Sequence, residues 1–269
     1  MKRFFSSLAI AALCLPLVVA ADNVRKPGER LILITRHCQT SNNPEKITKP
    51  VPNDTGITKL GIQQAHWLGK EMKRLGFHGA IYSSPYYRAT ATACEAAKEC
   101  GSKVYPDARI QQRSKRVGGN IKGGGATLTV FKKLYPNEIA ANAVLADDWI
   151  KKTVEKSYKG EHQERLEKAL DEILAESDKD IAIVSHGGGV GTFLRIMQKR
   201  CGIKRIQGTV WNCSLFKFAV DKNGKFRFLG YDISYMPEDS VTSNEGASLL
   251  GQKQGKEKKF NSRIDHDDK

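Results

Sequence analysis

Three short stretches run an apolar segment straight into residue types that can handle an anion. "LILITRHC" delivers Arg36 and His37, "GAIYSS" delivers Ser83 and Ser84 with Arg88 a turn further on, and "DIAIVSHGG" delivers Ser185 and His186. Arginine offers a planar fork of donors matched to phosphate oxygens. A neutral histidine is a competent nucleophile at phosphorus, and a covalent intermediate divides one difficult transfer into two easier ones. Phosphoryl transfer spreads charge over the equatorial oxygens, so cationic donors around them are the main catalytic device. Taken singly, each residue has a plain structural reading: a hydrogen-bonded core histidine, or an arginine solvated on a helix. Three separate segments delivering the same residue types to one edge weaken that reading and point to phosphoryl chemistry.

The elements that must position these residues are legible from their periodicity. "LILIT" is a continuous apolar run, as expected of a strand buried on both faces. "GAIYSS" and "DIAIVS" read as two more strands. Between them "ITKLGIQQAHWLGKEMKRLGF" places Leu60, Gln64, Trp67, Leu68, Met72 and Leu75 at helical spacing, with Thr58 as its cap. In "SPYYRATATACEAAKEC", Ser84 reads as an N-cap and Pro85 as the first helical residue. A glycine-rich turn and helix follow the third strand, and "DKNG" joins a last pair of strands as a hairpin. An amphipathic stretch runs from about Ala143 to Glu176. The expected fold is α/β, a mostly parallel central sheet flanked by helices on both faces. In such a sheet ligands collect beyond the carboxyl ends of the strands. The basic, glycine-rich segment "QQRSKRVGGNIKGGG" reads as a loop over that site, with Arg109 to Lys122 recruiting or covering an anionic substrate.

In this order the motifs resemble those of the histidine phosphatase superfamily, the group that includes cofactor-dependent phosphoglycerate mutases and acid phosphatases. "RHCQTSNN" matches the family's opening motif through Arg36, His37, Gln39, Thr40 and Asn43. "ITKLGIQQA", "SSPYYRATATA", "VSHGG" and "WNCSLFKF" match its later motifs, together covering roughly residues 31 to 230. The resemblance implies a phosphoglycerate mutase-like fold in which His37 becomes phosphohistidine. It also implies that Arg36, Arg88 and His186 bind and polarise the phosphoryl oxygens, with Asn43 and Arg113 as substrate contacts and no metal or cofactor. The strand before His37 is then a rigid mount for the nucleophile.

Two positions depart from the family pattern. Cys38 stands where the motif has glycine, and a thiol there either packs or is exposed to oxidation. Gln112 stands where one branch of the family carries the glutamate that protonates the leaving group, and an amide is no acid near neutral pH. The acid-phosphatase branch places an aspartate directly after the second histidine, where this chain has Gly187. Three outcomes stay open: another carboxylate such as Glu138 or Asp107 serves, the substrate has a leaving group that needs little protonation, or the protein binds a phosphorylated ligand and turns it over poorly. A phosphomutase is disfavoured, because it needs the same acid.

The rest of the chain bounds these readings. Its 269 residues suffice for one substantial domain. Residues 1–20, "MKRFFSSLAIAALCLPLVVA", combine two positive charges with a short apolar run closed by small residues, as in a secretory signal cut after Ala20 or Ala21. A retained anchor is the competing reading. On the signal reading the mature protein is exported, periplasmic or secreted, and off the membrane. Its charge falls only from +15 to +13 with the loss of Lys2 and Arg3, which favours anionic partners. Those are phosphorylated small molecules or phosphoproteins. Nucleic acid is not expected, because no nucleic-acid signature appears. "HGGGVG" lacks the spacing of a nucleotide-binding loop. The histidine phosphatase-like domain is set at 21–240, with 241–269 as a polar, disordered tail. Five cysteines remain after cleavage; Cys94 with Cys100 and Cys201 with Cys213 are candidate bridges that leave Cys38 free, and buried free thiols are the equal alternative.

Overall fold

The computed structural model describes residues 24–41, 46–48, 54–112, 126–149, 160–244 and 247–254. The chain opens with β1 (Arg30–Arg36), then β2 (Thr40–Ser41), β3 (Ile47–Thr48) and β4 (Gly56–Thr58). After them come α1 (Lys59–Arg74), β5 (Gly79–Ser83), α2 (Tyr87–Cys100), β6 (Lys103–Pro106), α3 (Leu128–Leu134) and α4 (Glu161–Glu176). The chain continues through β7 (Asp180–Ser185), α5 (Gly187–Cys201), β8 (Leu215–Val220) and β9 (Phe226–Asp232). It closes with β10 (Thr242–Asn244), β11 (Ala247–Ser248) and α6 (Leu249–Lys253).

The main sheet has the order β6-β5-β7-β1-β8-β9. Its first four strands are parallel, and β8 and β9 run antiparallel to complete it. β1 therefore lies inside the sheet, and its alternate side chains serve two cores. Leu31 and Leu33 face one core with Leu68 and Met72 of α1 and Ala93 and Cys94 of α2. Ile32 and Ile34 face the other, with Leu166 and Leu170 of α4 and Phe193 and Leu194 of α5. The unbroken apolar run of β1 follows from that double burial. β2, β4 and β3 form a separate small antiparallel sheet beyond the end of β1.

The expected α/β architecture is present, and α1 begins as expected, with the Thr58 hydroxyl accepting from Gly61 N at 2.9 Å. Gly61 is needed for closeness: a Cβ there would stand 2.3 Å from the Gln39 carbonyl oxygen. That lets α1 press on the turn that follows His37. The β8–β9 hairpin closes through Asp221, which accepts from Asn223 N and Lys225 N, with Gly224 at a φ of 78°.

Of the amphipathic stretch 143–176, the second half holds α4. Three expectations are corrected. α2 starts at Tyr87 rather than Pro85, and its cap comes from elsewhere in the chain: Asp54 Oδ2 accepts from Tyr87 N at 2.6 Å, while the Ser84 hydroxyl is engaged by His186. Residues 241–244 and 247–254 of the expected tail are folded, because polar groups there are used as acceptors. The Thr242 carbonyl accepts from Asn212 N at 2.8 Å, and the Ser243 carbonyl accepts from Arg36 Nη2 at 2.6 Å. All five described cysteines are free thiols, so neither candidate bridge forms. Residues 1–20, and 255–269 of the expected tail, lie outside the described residues. No described helix is long and apolar enough to cross a membrane.

Candidate active site

The parallel register brings the carboxyl ends of β1, β5 and β7 level. Arg36 lies opposite Ser185, and Ser83 lies opposite Val184. The pairing extends one residue past the strands, with His37 N donating to the Ser185 carbonyl and Ser84 N to the Val184 carbonyl, both at 2.9 Å. His37, Ser84 and His186 therefore emerge side by side. The two imidazole rings are 5.3 Å apart, nearly edge to face, and Tyr86 lies 5.2 Å from His186.

The His37 ring is fixed by its neighbours. Nδ1 stands 2.8 Å from its neighbour's carbonyl, that of Cys38. A carbonyl only accepts, so the proton is on Nδ1 and the lone pair is on Nε2. The His37 backbone is held as well, because Asn212 Nδ2 donates to its carbonyl at 2.8 Å. Burial, then the positive charges of Arg36 and Arg88, hold the His37 pKa well below its ordinary 6.5. His186 is lowered in the same way, by burial first and then by Arg88, His37, Arg36 and His162. Both rings are neutral at pH 7. His186 Nε2 meets the Ser84 hydroxyl at 2.8 Å, and its buried Nδ1 has no partner among the described residues. With the hydroxyl donating to Nε2, Nδ1 carries a proton and is a donor.

Among the described residues Arg36 is anchored by the Val210 carbonyl and the Ser243 hydroxyl at 3.1 Å each and by the Ser243 carbonyl. Burial and the charge of Arg88 lower its pKa to about 10, so it stays charged. Arg88 donates to Asp54 Oδ1 at 3.2 Å and to Gln112 Oε1 at 3.1 Å, and its guanidinium lies 4.8 Å from the centre of the Tyr86 ring. A buried guanidinium and a half-buried one that repel one another beside two neutral imidazoles make a pocket suited to a dianion.

Asp54 was missed in the sequence because it lies in a polar loop and owes its place to α2. It accepts from Thr55 N at 2.7 Å and Tyr87 N at 2.6 Å as well as from Arg88. Burial raises its pKa, with Arg88 as the main opposing influence. Gln39 and Gln64 are structural: Gln39 N donates to Gln64 Oε1 at 2.7 Å, tying the turn after His37 to α1. Arg165 of α4 donates to the backbone carbonyls of Arg109 and Gln111 and so braces the segment that carries Gln112.

Other expected site residues fall elsewhere. Asn43 and Arg113 lie outside the described residues, as does the loop 113–125. Arg109 is not a substrate-recruiting charge, because Asp107, Glu172 and Glu176 take up its guanidinium. Those same bonds turn Asp107 away from the role of acid. Glu138 pairs its carbonyl with Val104 N, two residues short of the carboxyl end of β6, and β5 and β7 separate that strand from β1. Cys38 packs: it is fully buried between the His37 turn and Gly61, and burial pushes its thiol up to about 12.

An arrangement of this kind can present an imidazole lone pair to phosphorus while cationic and neutral donors hold the phosphoryl oxygens. Comparisons with known proteins agree with that chemistry. The sequence profile of the histidine phosphatase superfamily (branch 1) matches residues 32–232. A protein of Hydrogenobacter thermophilus named "Putative phosphoserine phosphatase 2" is 28% identical over 162 residues, 60% of this chain and 74% of that relative. Among solved structures, Bacillus stearothermophilus YhfR superposes with a TM-score of 0.51 at 19% identity, covering 77% of this chain and 98% of that one. The ecdysone phosphate phosphatase of Bombix mori, solved with tungstate, gives a TM-score of 0.54 at 15% identity, covering 77% and 93%. At such identities these structures establish the fold alone, whereas the profile spans most of the chain. This chain belongs to the histidine phosphatase superfamily, branch 1.

Proposed function

We propose that the protein is a metal-independent phosphatase that hydrolyses a phosphorylated anion through a phosphohistidine formed on His37. The observation that carries this reading is the His37 ring itself: buried, neutral, its proton held at Nδ1 by the Cys38 carbonyl, and placed beside the two arginines Arg36 and Arg88. Nε2 attacks phosphorus while Arg36, Arg88 and the Nδ1–H of His186 hold the phosphoryl oxygens. Water then attacks the phosphohistidine and releases phosphate. The protein's part is positioning and electrostatic complementarity to a spreading negative charge. The Hydrogenobacter thermophilus relative, named as a phosphoserine phosphatase, supports a hydrolase over a mutase.

The test is hydrolysis of p-nitrophenyl phosphate, whose good leaving group reports on the nucleophile even without an acid. Turnover that disappears in His37→Ala, with a burst of p-nitrophenol matching enzyme concentration in the wild type, is the expected result. Turnover equal in wild type and His37→Ala would reject it. Gln112 favours a second reading, a phosphate-ligand binding protein with weakened catalysis. That reading expects phosphate or vanadate to bind without a burst.

Export is also proposed, on the pattern of residues 1–20 alone. Fractionation of cells that express the full chain should place it outside the cytoplasm, with its N-terminus at residue 21 or 22. A cytoplasmic chain beginning at Met1 would reject export.

A further inference from the structure

Resting on the phosphatase reading of this same pocket, we infer that its substrates are phosphoryl compounds whose leaving group departs without a proton from the protein, such as acyl phosphates and phosphoanhydrides, rather than alkyl phosphate monoesters. The inference starts from Gln112. Its Oε1 stands 3.1 Å from Arg88 Nη2. A guanidinium only donates, so the amide oxygen must face Arg88 and the NH2 must face away from it. A neutral side chain held in that orientation gives a hydrogen bond to a departing anion but no proton.

Neither Asp54 nor the two carboxylates suggested by the sequence, Asp107 and Glu138, makes up the loss. Asp54 reaches Arg88 and burial raises its pKa, yet its two oxygens are already engaged by Thr55 N, Tyr87 N and Arg88, so its place in the fold is that of an acceptor for α2 and Arg88 rather than a donor to a leaving group. Asp107 is chelated by Arg109, and Glu138 lies beside the far strand of the parallel set. At Gly187 a Cβ would stand 4.0 Å from Arg36 Nε with no closer neighbour. An aspartate would fit there, and the chain has glycine. The two imidazoles are neutral near pH 7 and carry no imidazolium proton to give.

The chemistry balances without an acid. His37 Nε2 supplies the electron pair of the new P–N bond, and the P–O bond to the leaving group breaks with its pair staying on that oxygen. A carboxylate or phosphate leaves as the stable anion it is at neutral pH; an alkoxide does not. In the second half, water oxygen bonds to phosphorus, the P–N pair returns to Nε2, and both water protons leave with the product as dihydrogen phosphate.

The experiment is kcat/KM for the full-length wild-type protein on acetyl phosphate, p-nitrophenyl phosphate, phenyl phosphate and glycerol phosphate, each against a His37→Ala background. General acid catalysis is typically worth about 100- to 10,000-fold, and we expect a fall of that size from acetyl phosphate to glycerol phosphate. In Gln112→Glu, and independently in Gly187→Asp, the ratio of glycerol phosphate to acetyl phosphate turnover should rise about tenfold or more. His37-dependent turnover of glycerol phosphate within about tenfold of acetyl phosphate would overturn this inference and leave the phosphatase reading standing. Absence of His37-dependent turnover on all four substrates would overturn both.

Discussion

Mild acid should destabilise this protein through its own pocket. His37 and His186 are both fully buried, and burial together with Arg36 and Arg88 holds their pKa values well below 6.5 in the folded state. In the unfolded chain both take up a proton near 6.5, so across the interval below that value the unfolded state binds more protons than the folded one. Stability then rises with pH, and what is present above 6.5 is lost as pH falls. One pKa unit corresponds to about 1.4 kcal/mol per group, so going from about pH 7.5 to 5.5 the two rings together should withdraw about 3 kcal/mol. Against a total of roughly 5–15 kcal/mol that is a large share. The window also separates these rings from the carboxylates. Glu29, held down to about 2 by its bonds from Arg227, acts in the same direction, but only at more acidic pH. Asp54, raised by burial, acts in the opposite direction, regaining stability as it protonates. The assay is urea unfolding at several pH values with the slope m checked for constancy. His37→Asn and His186→Asn, read for their pH dependence rather than their absolute stability, isolate the two rings from His66, His78 and His162. Each variant should remove about half of the loss. A wild-type stability flat across the window, or a slope unchanged in both variants, would refute the reasoning.

Three further outcomes follow from the same contacts. Asp54→Ala removes a fully buried acceptor of two backbone N–H groups and takes from the half-buried Arg88 its carboxylate partner, so it should cost about 3–5 kcal/mol in urea unfolding, and Asp54→Asn distinctly less; a loss within about 0.5 kcal/mol would contradict the role given to Asp54. Ser243→Ala removes one acceptor from Arg36, and deleting residues 242–269 removes both, so vanadate affinity should fall in that order, each charged hydrogen bond being worth about 1.5–3 kcal/mol; unchanged affinity in the deletion would show that Arg36 does not need the segment. A thiol reagent at mildly alkaline pH should label partly exposed Cys100 first and Cys201, whose thiol burial pushes up to about 11, more slowly, and reach Cys38, Cys94 and Cys213 only on unfolding; peptide mapping that finds native Cys38 labelled would refute its packed assignment.

What could be read from the sequence was whatever a local pattern encodes. β1, β5 and β7 announce themselves because strands buried on both faces are continuous apolar runs, and their last residues name the site. His37, His186, Arg36 and Arg88 were legible for that reason. Asp54 was not, since its partners, Tyr87 N and Arg88, are more than thirty positions away and its own loop has no period. Ser243 was hidden in the same way: a polar run low in aromatics resembles a disordered tail until a buried guanidinium 207 positions upstream supplies the reason for it to fold. Arg109 erred in the other direction, because a charge count cannot show that Asp107, Glu172 and Glu176 already neutralise it. These cases share one cause. Apolar burial is announced by the residue itself, whereas a polar residue is ordered by its partner. A site made of polar pairs is therefore half visible from either member, and the half that showed here was the half mounted on strands.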